Sequence, residues 1–196
     1  MGDVNAAYEV RAASIAAGFP ISTAASSVNR FCSSGLKAVQ DIAGQISSGS
    51  IEIGLALGGE SMTRNKHSLG PFHPEVMKTQ AAADCLQPMG QTSENVGKDF
   101  NIPREKQDRY AAESYRRAEV AQKTGLYDDE IVPITTTVKD PKTGESKEVT
   151  LTRDEGPRHG TTFESLSKIR PAFVAFGDKS TGGNSSQVTD GGEFIS

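Results

Sequence analysis

The residues most able to do chemistry lie in "VNRFCSSGLKA", Val28 to Ala38, where Cys32 stands just before a Ser-Ser-Gly turn that opens an amphipathic run. A cysteine at the start of a helix meets backbone N–H groups that have no intrahelical acceptor, and the positive end of the helix dipole. Both assist a sulfur nucleophile. From position alone Cys32 reads equally well as a nucleophile or as a small apolar filler, because free cysteines are often buried. Two neighbours bear on the choice. Gly35 permits a close backbone approach, and Asn29 offers a side-chain acceptor to a tight turn.

The elements around this turn give an α/β fold class. Apolar Leu36, Val39, Ala43 and Ile46 recur at helical spacing up to Ser48-Gly49, and the pair Ser33/Ser34 is placed to cap the helix start. "IEIGLAL" then reads as a short buried strand closed by Gly58-Gly59. Upstream, Tyr8, Ala12, Ile15 and Ala16 predict a short helix that stops at Gly18 and Pro20. Ser61 to Leu86 is polar and broken by Gly70-Pro71 and His73-Pro74, which predicts loop with at most short helices. A long helix from Pro103 to Thr124 follows, stopped by Gly125, with Tyr110, Ser114, Ala118 and Ala121 as its inward stripe. "IVPITTTV" and "KEVTLT" form a predicted hairpin, "FESLSKIRPAF" a short helix ended by Pro171, and "GDKSTGGNSSQVTDGG" a return loop.

Composition narrows the function classes. The 196 residues carry 21 Lys+Arg against 25 Asp+Glu, a net charge of −4, so nothing in the overall balance favours nucleic acid or an anionic membrane surface. An anionic ligand would need a local cation. Two cysteines are too few for a disulfide framework, which reads as a reducing, intracellular setting, and no apolar run reaches the roughly 20 residues of a membrane span. His67, His73 and Cys85 lack zinc-site spacing, so no metal is expected.

"STAASSVNRFCSSGLKAVQDIAGQISSGSIEIGLALGGESMT" resembles the acyl-enzyme segment of the thiolases, in which an Asn-x-x-Cys-x-Ser-Gly turn carries the acyl-accepting cysteine. "DCLQPMGQTSENVGKDFNIPREKQDRYAAESYRRAEVAQKTGLYDDEIVPI" resembles the thiolase loop domain, "DEGPRHGTTFESLSKIRPAF" its coenzyme A segment, and "TGGNSSQVTDG" the return to the core. The Pro-Met-Gly of "QPMGQTSENV" is more similar to peroxisomal-type 3-ketoacyl-CoA thiolases than to acetoacetyl-CoA thiolases.

The resemblance implies a thiolase-like α/β fold with a partial N-terminal core domain at 1–60, an α+β loop domain at 61–180 that binds coenzyme A, and a return into the core at 181–196. It implies Cys32 as catalytic nucleophile, Met89 beside the acyl and pantetheine channel, and Phe173 along the pantetheine. Arg158 and Ser165 then lie near the nucleotide end of coenzyme A, and Ser186 near a pantetheine amide. Read without the resemblance, Arg158 is a solvated cation and Met89 and Phe173 are core.

Coenzyme A and acyl-CoA enter as substrates, with no prosthetic group expected. The resemblance further implies a homodimeric, peroxisomal parent, with a mitochondrial one as the alternative. The family's catalytic histidine, second cysteine and thioester-polarising asparagine come from its C-terminal half, so these residues are expected to be an internal fragment, inactive alone and with apolar faces uncovered. Gly192 to Ser196 departs from the family's usual Asp-Gly-Ala-Ala continuation.

Overall fold

A computed structural model describes residues 5–63, 72–140 and 142–195; His67 and the Gly70-Pro71 breaker lie outside them. The chain divides into two units, Met1–Pro71 with Val188–Ser196, and Phe72–Gln187.

In the first unit α1 spans Ala6–Ala16, and Gly18 follows it at φ +93, a left-handed conformation that suits glycine. The Arg11 guanidinium donates to the carbonyls of Ile21 and Thr23, which ties the loop back to the helix. α2 spans Ser34–Ser47 and is followed by strand β1, Ala56–Glu60. The strand begins five residues later than the apolar run suggests, and Gly58-Gly59 lie inside it instead of closing it. Gly54 explains part of the delay: a Cβ there would come within 2.8 Å of Ile42 Cγ2, so the backbone is pressed onto α2 before it can straighten. Pairing does the rest. β4, Gly191–Ile195, lies antiparallel to β1 from Ala56↔Ile195 to Glu60↔Gly191, and only this stretch has a partner. β4 has no counterpart in the sequence reading.

The second unit opens with the short helices α3, Pro74–Met77, and α4, Gln80–Asp84, within the predicted irregular stretch. α5, Met89–Asp99, was hidden from hydrophobic periodicity because its buried positions are Gly90, Glu94 and Gly97. α6 spans Arg104–Lys123, with Pro103 at its N-cap and Gly125 at φ +73 beyond its end, as the turn residues predict.

The α6 inner face matches the expected stripe at its C-terminal end, where Ala121 is buried, and departs from it toward the N-terminus. Asp108, Ala111 and Ala121 are buried, whereas Tyr110 is 81% exposed and Ser114 is exposed. The hairpin forms as β2, Ile134–Lys139, and β3, Ser146–Leu151, with Asp140 Oδ1 accepting from the Lys142 and Thr143 N–H groups of its turn. α7 is a single turn, Phe163–Leu166, so it ends well before Pro171; Pro171 instead bridges to Thr181.

Among the described residues the buried apolar side chains are few: Ala56, Ala111, Ala121 and Leu166. Much of the interior of the second unit is polar. Asp108 is fully buried and accepts from Arg104 Nε at 2.6 Å and from Asn184 Nδ2 at 3.0 Å. Arg104 also donates to the carbonyls of Leu166 and Ile169. Asn184 completes the lock, donating to the Lys179 carbonyl and accepting from the Thr181 N–H. The network satisfies buried polar groups that would each be costly unpaired, and it fastens the return loop to α6 and α7.

Candidate functional site

The Cys32 turn is built by its own side chains. Asn29 Oδ1 accepts from the Phe31 N–H at 3.0 Å, and Phe31 takes φ 51, a left-handed conformation unusual for a bulky residue. Such strain costs about 1 to 3 kcal/mol, tolerated where neighbouring bonds enforce it. Two serine hydroxyls help enforce it here. Ser33 Oγ donates to the Arg30 carbonyl at 2.9 Å, while Ser34 Oγ donates to the Phe31 carbonyl at 2.6 Å and accepts from the Arg30 N–H at 2.8 Å.

The expected capping is therefore corrected. Ser33 holds the N-cap position without a side-chain cap bond, and both hydroxyls brace the turn that presents Cys32. Cys32 is exposed at the entrance of α2. Gly35 does allow the close approach its type suggests, since its Cα would lie 3.8 Å from a Cβ placed on Gly58 of β1.

The other sulfur has the opposite surroundings. Cys85 is also exposed, but it stands at the C-cap of α4 and its Sγ donates to the Ala81 carbonyl at 3.2 Å. A carbonyl oxygen, not an N–H group, faces its sulfur. His73, read as a loop residue, accepts the Glu75 N–H through Nδ1 at the start of α3.

The remaining candidates fall in the second unit. Met89 opens α5 and is 72% exposed. Phe173 lies directly on the next residue, with its ring occupying the space beside Gly90; a Cβ at Gly90 would meet Phe173 Cδ1 at 2.4 Å. The Phe173 ring thus packs on α5 one residue after Met89. We expect Gly90→Ala to lower stability by about 1 to 2 kcal/mol even though alanine favours helix, because overpacking outweighs the propensity gain. A urea midpoint followed by circular dichroism checks this, and an unchanged or raised midpoint contradicts it.

Arg158 is exposed in a loop strapped to α6, where His159 Nε2 meets Gln122 Oε1 at 2.7 Å and the Gly160 N–H donates to Glu119 at 2.8 Å. The Lys123 ammonium first, and then the Gly160 N–H, hold the Glu119 carboxyl below its usual range. The Arg158 carbonyl accepts from Thr161 Oγ1, and the next residue, Thr162, forms a reciprocal capping box with Ser165, so Arg158 and Ser165 share one short structural unit. Ser186 is exposed beside Gln187, whose amide would lie 2.9 Å from a Cβ on Gly156, which sets its loop against the Arg158 loop.

Chemically, the first unit offers an exposed thiol at a helix entrance. The second offers two apolar side chains, Met89 and Phe173, with a cation and two hydroxyls.

Residues 2–195, which include the braced Asn-x-x-Cys turn, match a family model described as the thiolase N-terminal domain. The chain belongs to the thiolase family. It is 47% identical over 186 residues to 3-ketoacyl-CoA thiolase 2, peroxisomal, of Arabidopsis thaliana, covering 94% of this chain and 40% of that protein. Against the peroxisomal 3-ketoacyl-CoA thiolase A of Rattus norvegicus it is 48% identical over 190 residues, covering 96% of this chain and 43% of that protein. The crystal structure of the dimeric peroxisomal thiolase of Saccharomyces cerevisiae superposes with a TM-score of 0.86 at 48% identity, over 98% of this chain and 48% of that one. The chain therefore spans less than half the length of these relatives.

Sequence reasoning missed Gly90, Glu94, Asp108 and Asn184. The Asn184 side chain is engaged by the Thr181 N–H, Asp108 and the Lys179 carbonyl, a role its place in a Gly/Ser-rich loop does not announce.

Proposed function

We propose that this chain supplies the acyl-accepting part of a peroxisomal 3-ketoacyl-CoA thiolase, which cleaves 3-ketoacyl-CoA to acetyl-CoA and a shortened acyl-CoA in fatty acid β-oxidation. The observation that carries the reading is the Cys32 turn at the entrance of α2, within a chain whose family match runs from 2 to 195.

In this reading the Cys32 sulfur attacks the 3-keto carbon, the bond between C2 and C3 breaks, and C2 takes a proton as acetyl-CoA leaves. The shortened acyl group remains as a Cys32 thioester. A second coenzyme A thiol then attacks that carbonyl, its proton is removed, and the Cys32 sulfur departs. Met89 and Phe173 flank the pantetheine, Ser186 lies near its amide, and Arg158 and Ser165 receive the nucleotide end. An acidic chain needs such a local cation to hold phosphates. The domain assignment follows the same reading, with the core contributing the cysteine and the loop domain the coenzyme A contacts. The parent acts as a homodimer.

A second reading is a coenzyme A-binding module without turnover. It is favoured by the placement of all five proposed coenzyme A residues in one unit, Phe72–Gln187, while Cys32 stands in the other. Calorimetry with coenzyme A tests the shared element of both. Arg158→Ala should weaken binding about tenfold, the loss of one charged hydrogen-bonding partner. No heat with either protein removes both readings of the second unit.

A further inference from the structure

We propose that Glu94 is a positioning residue for the coenzyme A site, its buried carboxylate fixing the loop that joins Phe173 to Ser186. The inference rests on the coenzyme A reading given above.

Glu94 is 2% exposed on the inner face of α5, a costly place for a carboxylate unless donors converge on it. They do. Glu94 Oε1 accepts the consecutive N–H groups of Lys179 at 2.9 Å and Ser180 at 2.6 Å. The adjoining Ser93 hydroxyl meets the Ser180 hydroxyl at 2.7 Å, so two successive α5 residues hold one loop residue. Glu94 Oε2 is buried without a hydrogen-bond partner, with the Lys179 ammonium 4.0 Å away. Gly177 makes room for it, since a Cβ there would stand 2.2 Å from Oε2.

The spacing along α5 gives this clamp its meaning. Gly90 and Glu94 are four residues apart and share a helix face. One seats the Phe173 ring and the other the loop at Lys179-Ser180, so a single rigid element sets both ends of the segment 173–180. Ser180 also donates its N–H here while its carbonyl accepts from Ala172, which pins the residue preceding Phe173. Two residues before Ser186, Asn184 is held by Asp108 and the Lys179 carbonyl. The proposed pantetheine contacts are therefore placed by groups that do not touch the ligand. Displacements of about 1 Å in such supports can cost on the order of a hundredfold.

The test uses the full 196-residue chain, with coenzyme A calorimetry and peptide-resolved hydrogen exchange. Glu94→Ala should weaken coenzyme A binding by about tenfold or more and speed exchange in 173–186, leaving the hairpin 134–151 unchanged. Glu94→Gln keeps an acceptor for both N–H groups and should restore binding to within about threefold. Gly177→Ala displaces the carboxylate with its charge intact and should reproduce the Glu94→Ala result. Binding that survives Glu94→Ala overturns the role of Glu94, as does exchange that rises equally in the hairpin. An unsubstituted chain that binds no coenzyme A overturns the coenzyme A reading itself and this ligand role with it.

Discussion

Asp108→Ala should destabilise the second unit by about 3 to 5 kcal/mol, the cost of removing one partner from a buried ion pair. The carboxylate has no exposed surface and joins Arg104 of α6 to Asn184 of the return loop. Its loss leaves the Asn184 amide with one acceptor fewer and the Arg104 guanidinium without its counter-charge. Against a total stability of about 5 to 15 kcal/mol for a typical domain, such a change is large. Asp178→Ala serves as control because that side chain is 84% exposed, and its effect should stay within about 0.5 kcal/mol. The chain has no tryptophan, so urea unfolding is followed by circular dichroism. Equal midpoints for the two variants would contradict the account of the polar interior.

This interior marks the boundary of what the residues disclosed in advance. Elements with a local pattern were legible: the helical spacing of Leu36, Val39 and Ile46 announces α2 and β-branched residues announce the hairpin, although Leu36 and Ile46 are exposed and β2 and β3 bury no side chain. α5 was not legible because its inner face is Gly90, Glu94 and Gly97, with neither apolar periodicity nor a terminal signal stronger than Pro88. α6 was found from its ends, and Ala121 of its stripe is buried, but the N-terminal half of the stripe was misplaced by assuming that Tyr110 points inward, where the structure buries Asp108 instead. A charged residue gives no sequence sign of having found a partner 76 positions away. β4 was unreadable for a related reason: its pairing with β1 joins residues more than 130 positions apart.

The nucleophile turn is the reverse case. Asn29, Cys32, the serine pair and Gly35 are local in sequence, so their types foretold a braced turn at a helix start. Only the use of the serines differed. The proposed coenzyme A residues are intermediate: their separate positions follow from the family motifs, while the seating of the Phe173 ring on Gly90 of α5 required the packed structure.

The central claim is that Cys32 is a nucleophile because of where α2 begins. Both cysteines are exposed, so access alone does not separate them. Cys32 meets the N-terminal end of a 14-residue helix, whereas Cys85 caps the C-terminal end of α4 and is engaged with the Ala81 carbonyl. Brief treatment with iodoacetamide at neutral pH, read by mass spectrometry, should therefore label Cys32 first, on the order of tenfold ahead of Cys85. Thiolysis of a 3-ketoacyl-CoA by the same preparation should be undetectable. In the proposed reading the reaction also needs a histidine and a second cysteine from the family's C-terminal half, and losing members of a catalytic unit costs on the order of a thousandfold or more. Cys32 labelled ahead of Cys85, without turnover, is the predicted result; equal labelling of the two cysteines would contradict the account of the turn.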